Sequence, residues 1–111
     1  MKKYTFYIGL NDKDTKKQIV DTDASFSLIE KWSADVLWWA TISGWRWVFK
    51  HEDGTIVCEN CIIISTLCFD NVSNSETCSR EKYTNFAKEL KKEFNQESIL
   101  MEVTDVDVDF I

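Results

Sequence analysis

The chain predicts an α+β domain of ferredoxin-like βαββαβ topology, an antiparallel sheet with two helices on one face. Three observations lead there. Strand-like stretches and two stretches of helical period follow one another in the order strand, helix, strand, strand, helix, strand. The two middle strands are joined by HEDG alone, a link short enough for a hairpin. And 111 residues suffice for one domain, spanning 1–111, with 44% apolar side chains to build its core.

Each element follows from its pattern. Residues 3–10, KYTFYIGL, set Tyr4, Phe6 and Ile8 against Thr5, Tyr7 and Gly9, the alternation of a strand. NDKDTKKQ is a polar loop whose aspartates cap the strand end through Asx turns. A helix is expected from Thr22 or Asp23, either of which can cap it. Phe26, Ile29, Trp32 and Val36 form its stripe, which Trp39 or Ala40 closes. Strands are expected at 41–50 and 55–69, with Gly54 supplying a positive φ between them. A second helix is expected over 79–95, with Tyr83, Phe86, Ala87, Leu90 and Phe94 on one side and lysines and glutamates on the other. DNVSNSET is a loop, and a last strand begins near Ser98.

Charge narrows the functional classes. The net charge is −6. Residues 19–79 carry three basic and nine acidic side chains, and residues 98–111 carry four acids and no base. Such a chain is repelled by bare nucleic acid, so no direct DNA or RNA binding is expected. It suits a protein partner with a basic groove. No apolar run approaches the roughly 20 residues of a membrane span, and the apolar run near the N-terminus is too short for a signal peptide. A cytoplasmic protein is therefore expected, with Cys58, Cys61, Cys68 and Cys78 reduced.

The hairpin raises the main functional question. Trp45, Trp47 and Phe49 alternate with Arg46, Val48 and Lys50. In the next strand Val57, Cys61, Ile63, Leu67 and Phe69 share one face, and Ile56, Cys58, Ile62, Ile64 and Cys68 share the other. Both faces are too apolar for bulk water, which predicts a homodimer or a segment folded over the open face. The sharper alternative is an aromatic platform for a planar ligand such as a nucleotide, with Lys13, Lys16, Lys17 or Arg46 meeting phosphate.

Metal and catalytic chemistry find little in the pattern. Cys58-x-x-Cys61 has zinc-knuckle spacing, but residues three apart in a strand point to opposite faces, so no metal site and no cofactor are expected. The single histidine, His51, sits in the polar turn. No P-loop, nucleophile elbow or Gly-rich phosphate motif occurs, and a non-enzymatic protein is expected. The tail TDVDVDFI alternates Asp105, Asp107 and Asp109 with Val106, Val108 and Phe110. As a strand it would carry carboxylates about 6.5–7 Å apart, near the spacing of nucleic-acid phosphates. It is either an edge strand protected by charge or a docking edge for a basic partner.

YTFYIGLNDKDTKKQ and VFKHEDGTIVCEN resemble small proteins of Gram-positive bacteria and their phages and mobile elements, which share a GLNDKDT loop and a KHEDGTIV turn. The helical segment KWSADVLWWA departs from that pattern. The resemblance brings no catalytic residue with it. It implies a context in which small acidic proteins often antagonise host defence, anti-CRISPR proteins among them. The expected function is thus a protein-binding inhibitor or adaptor. Its candidate partner-binding residues are Trp38, Trp39, Trp45 and Trp47 as anchors, and Asp105, Asp107 and Asp109 as the acidic surface. The alternative is a small-ligand binder or nucleotide sponge built on the aromatic hairpin.

Overall fold

The computed structural model describes residues 1–20, 23–33, 39–68, 80–109 and 111. Its elements are β1 (Lys2–Gly9), α1 (Asp23–Ser33), β2 (Trp39–Lys50), β3 (Ile56–Cys68), α2 (Arg80–Glu93) and β4 (Leu100–Asp105). The sheet order is β2-β3-β1-β4 and every pairing is antiparallel. This is the expected ferredoxin-like arrangement, in which the first and third strands lie in the middle.

The core lies between the sheet and the helices. Tyr4, Phe6 and Ile8 of β1 and Ile62 and Ile64 of β3 point to one side, where Tyr83, Phe86, Leu90 and Phe94 meet them. Tyr4 stacks on Tyr83 with centroids 3.7 Å apart, and the edge of one ring in the Phe6–Phe86 pair meets the face of the other at 5.1 Å. The predicted stripe of α2 is therefore the core-facing surface of that helix. Leu28 and Ile29 of α1 pack against the same core, and Lys31 reaches Glu89 at 2.9 Å. Both helices thus share one face.

Three expectations are corrected. Trp39 and Ala40 do not close the α1 stripe; they begin β2, where Trp39 pairs with Leu67 and Ala40 with Thr66. The β3 ladder offers their backbone groups partners that a longer α1 would leave unused. Phe26 is 58% exposed and lines a cleft between α1 and the β2–β3 hairpin instead of packing into the core. Cys68 is disulfide-bonded, so four reduced thiols are not what the structure holds. That expectation rested on an assumed compartment and not on the geometry of the chain.

The hairpin is longer than the sheet that supports it. Gly9 pairs with Cys61 at the end of β1, while β2 and β3 run on to Lys50 and Ile56. The outer part of the hairpin therefore overhangs. At its tip the His51 and Thr55 backbones are bonded, and Gly54 has φ of 91°, as the turn requires.

Candidate functional site

A two-stranded overhang is marginal on its own in water. What braces this one is a carboxylate. Trp47 and Glu59 are direct cross-strand partners, so their side chains leave the same, helix-free face of the sheet. The Trp47 indole Nε1 donates to Glu59 Oε1 at 2.8 Å. The backbone N–H of Asn11, just past the end of β1, donates to Glu59 Oε2 at 3.1 Å. Glu59 thereby ties the hairpin to the 11–18 loop. Each carboxylate oxygen keeps a further lone pair for another donor or a cation.

The loop is itself built rigidly. Asp12 Oδ1 accepts the N–H groups of Asp14 and Thr15, the expected Asx turn. Asn95 Nδ2 donates to Asp12 Oδ2 at 3.0 Å and to Asp14 Oδ2 at 2.9 Å, and Gln96 Nε2 donates to the Asn11 carbonyl. The Asn95 amide, with the two loop N–H groups, lowers the Asp12 carboxyl to a pKa of about 2. Lys16, whose N–H bonds to the Asp12 carbonyl, takes a positive φ of 61°, and Asn95 one of 46°.

Hairpin, loop and the α2–β4 connection enclose a cleft of about 790 Å³. Trp47, Phe49 and His51 line one wall as a row of edge-to-face rings, with centroids 6.2 and 5.2 Å apart in turn. Glu59 lies in the wall, and Lys13 and Lys16 stand on the loop side. The cleft thus joins an aromatic surface, the carboxylates of Glu59, Asp12 and Glu97 and the cations of Lys13 and Lys16 within one space large enough for a nucleoside. A larger cleft of about 1,090 Å³ lies under α1, between Phe26, Ile29, Ile42 and Trp45. Its lining is mostly apolar. Cys61, which borders it, is held above the usual thiol range by burial and then by the charge of Glu59, so it is a poor nucleophile.

The residues singled out from sequence are divided by the structure. Trp47 lines the smaller cleft, and Trp45, 64% exposed, borders the larger one. Trp38 and the side chain of Trp39 lie outside the described residues. Asp105 closes β4 and pairs with Lys2 at 2.8 Å, at the opposite end of β1 from Gly9, roughly 23 Å away by strand rise. Asp107 and Asp109 are exposed beyond the end of β4. The expected three-carboxylate strand is thus corrected to a strand with one aspartate. β1 begins at Lys2, so beyond Asp105 the ladder runs out and the Val106 N–H bonds to the Met1 carbonyl. Lys13 and Lys16 lie in the smaller cleft, whereas Arg46 borders the larger and Lys17 lines neither. Cys58 is exposed and Cys61 buried, on opposite faces. Among the described residues no group of three His, Cys, Asp or Glu could hold a metal ion, and no helix is long and apolar enough to cross a membrane.

Sequence reasoning missed Glu59. The predicted register could not have found it: strands joined by HEDG alone would pair Lys50 with Thr55 and set Cys58 opposite Trp47, whereas Lys50 pairs with Ile56 and Glu59 takes that place.

No protein-family model and no curated protein matches the chain. Solved structures of similar fold do. A phage SAM lyase in complex with S-methyl-5'-thioadenosine aligns with TM-score 0.70 at 24% identity, over 94% of this chain and 80% of that one. A phage SAM lyase in the apo state aligns with TM-score 0.66 at 21% identity, over 93% and 78%. The periplasmic divalent cation tolerance protein CutA from Archaeoglobus fulgidus aligns with TM-score 0.62 at 9% identity, over 99% and 88%. At these identities the likeness is one of fold.

Proposed function

We propose that the chain is a phage or mobile-element protein that binds an S-adenosyl sulfonium compound in the smaller cleft and cleaves it. One observation carries the reading: a carboxylate fixed by two donors faces a nucleoside-sized space walled by aromatic rings. Each part of S-adenosylmethionine has a counterpart there. The adenine is a flat ring system for the Trp47–Phe49 wall. The sulfonium is a cation for Glu59, and the α-carboxylate is an anion for Lys13 or Lys16. The phage lyase of similar fold, solved with S-methyl-5'-thioadenosine, supports the same ligand class. The reading turns the nucleotide alternative from a phosphate-binding sponge into a sulfonium site.

The chemistry needs no oxidant or metal. The bond between sulfur and the methionine γ-carbon breaks, and its electron pair stays on sulfur as the neutral thioether. In the same step the fragment's own α-carboxylate oxygen bonds to that γ-carbon, so the four-carbon fragment leaves as a lactone and no proton is released. Positive charge leaves the sulfur as the bond breaks. A fixed anion therefore favours the bound substrate over the transition state, and Glu59 serves binding and orientation. Glu59→Gln should raise KM without lowering kcat. Tyr7 is a neutral neighbour on the same face: burial first, then the charge of Glu102 and a 3.4 Å hydrogen bond to it, hold the phenol above its usual range.

Equilibrium binding tests the site. S-methyl-5'-thioadenosine and S-adenosylmethionine should quench Trp47 fluorescence and raise Tm. At a hundredfold excess over Kd the stabilisation is about 2.7 kcal/mol. Titration of both compounds with no change in fluorescence or Tm would remove the proposal.

A second reading rests on a different surface. Val48 and Ile56 are each 67% exposed on one face of the overhang, and Trp45 is 64% exposed at its base on the other face. They favour a contact with another protein, consistent with an inhibitor or adaptor that meets a basic partner, anti-CRISPR-like antagonism of host defence included. Trp45→Ala should abolish capture of such a partner while leaving ligand binding intact; capture unaffected by the substitution counts against this surface.

A further inference from the structure

Gly9 is buried at the end of β1 and pairs with Cys61. A glycine inside a strand weakens it unless something needs the space. Its backbone is not in the left-handed region, which among the described glycines only Gly54 occupies, so conformational freedom is not the reason. Space is. A β-carbon built at Gly9 would lie 2.7 Å from Glu59 Oε1, 2.9 Å from Cδ and 3.0 Å from Oε2. The carboxylate lies directly over the glycine. The far end of a side chain normally moves aside cheaply, but this one is tied at both oxygens, to Trp47 Nε1 and to the Asn11 N–H. Any retreat lengthens one of those bonds.

We infer that Gly9 is a positioning residue for the Glu59 carboxylate: its missing side chain is the seat that lets one anion hold the hairpin and face the cleft. The consequence for ligand binding rests on the sulfonium reading above, while the consequence for the carboxylate does not.

The test is a double-mutant cycle of Gly9→Ala and Glu59→Ala in the full chain, read first without ligand. The probe is the Trp47 indole N–H resonance, assigned through Trp47→Phe. Gly9→Ala should move that resonance upfield, because the bond to Glu59 Oε1 lengthens, and should weaken S-adenosylmethionine binding about tenfold. In the Glu59→Ala background Gly9→Ala should leave the resonance where it is. A general disturbance of β1 would shift it in both backgrounds. An unmoved resonance in the Gly9→Ala protein, or equal shifts in both backgrounds, would overturn the inference. If Gly9→Ala alone does not fold, recovery of the fold in the double variant supports it and failure of both overturns it. If the cycle behaves as expected but the unaltered protein does not bind S-adenosylmethionine, the sulfonium reading fails and the seat remains.

Discussion

Glu59→Gln is the most informative single substitution, because it keeps the shape of the side chain and changes only what it can accept. Two N–H donors, from Trp47 and Asn11, converge on separate oxygens of the carboxylate. A glutamine amide has one oxygen, so one of the two donors must face an NH₂ group. A hydrogen bond to a charged acceptor is worth about 1.5–3 kcal/mol. Glu59 and Trp47 are half-buried, so water replaces part of what is lost. The net cost to folding is then about 1–2 kcal/mol, which for a domain near 100 residues lowers Tm by roughly 5–10 °C. Glu102→Gln is the matched control. Glu102 is exposed and its bond to Tyr7 is 3.4 Å long, so its cost should stay within about 0.5 kcal/mol. Urea unfolding followed by circular dichroism measures both variants, with equal m-values showing that the difference is one of stability. A Glu59→Gln protein no less stable than the Glu102→Gln protein would refute the claim that this carboxylate braces the hairpin.

Other outcomes follow from the same geometry. Phe86→Ala removes a fully buried ring that packs on Phe6 and should cost about 3–5 kcal/mol, visible as a large drop in the urea midpoint; a loss under 1 kcal/mol would contradict the core assignment. The Asp12 carboxyl sits at about 2 when folded, against an ordinary value of 3.8. Its contribution is therefore complete above pH 4, and it fades as pH falls through 4 towards 2. Amide exchange in the 11–18 loop should quicken over that window and lose the dependence in Asp12→Asn, whereas a pH-independent loop would deny the clamp. The apolar overhang predicts a homodimer or larger assembly by light scattering at high micromolar concentration; a 13.0 kDa monomer there would remove its basis.

Much of the fold was legible because local pattern and tertiary demand agree. The stripe of α2 is the buried surface of α2, and HEDG closes the hairpin with Gly54 at positive φ. Disagreement arose where one pattern served two structures. KWSADVLWWA has apolar residues at helical spacing, yet Trp39 and Ala40 belong to β2, because the register with β3 gives their backbone partners. The aspartate alternation of the tail looks like a strand, but a strand lasts only as long as its neighbour, and the antiparallel β1 begins at Lys2, opposite Asp105. The site was harder still. Glu59 reads as one acid in an apolar run, and its meaning comes from Asn11, 48 positions away. Gly9 did carry a signal, since a glycine inside a strand marks a close approach, though not of what.

The measurement that bears most directly on the proposed function is turnover. The purified chain is incubated with S-adenosylmethionine at neutral pH, and the mixture is separated by chromatography against a protein-free control. S-methyl-5'-thioadenosine should accumulate as substrate disappears, and Glu59→Gln should require a higher substrate concentration to reach its own maximal rate. Recovery of S-adenosylmethionine at the level of the protein-free control, from protein shown to be folded, would contradict the assignment of lyase chemistry to the cleft between Glu59 and the Trp47–Phe49 wall.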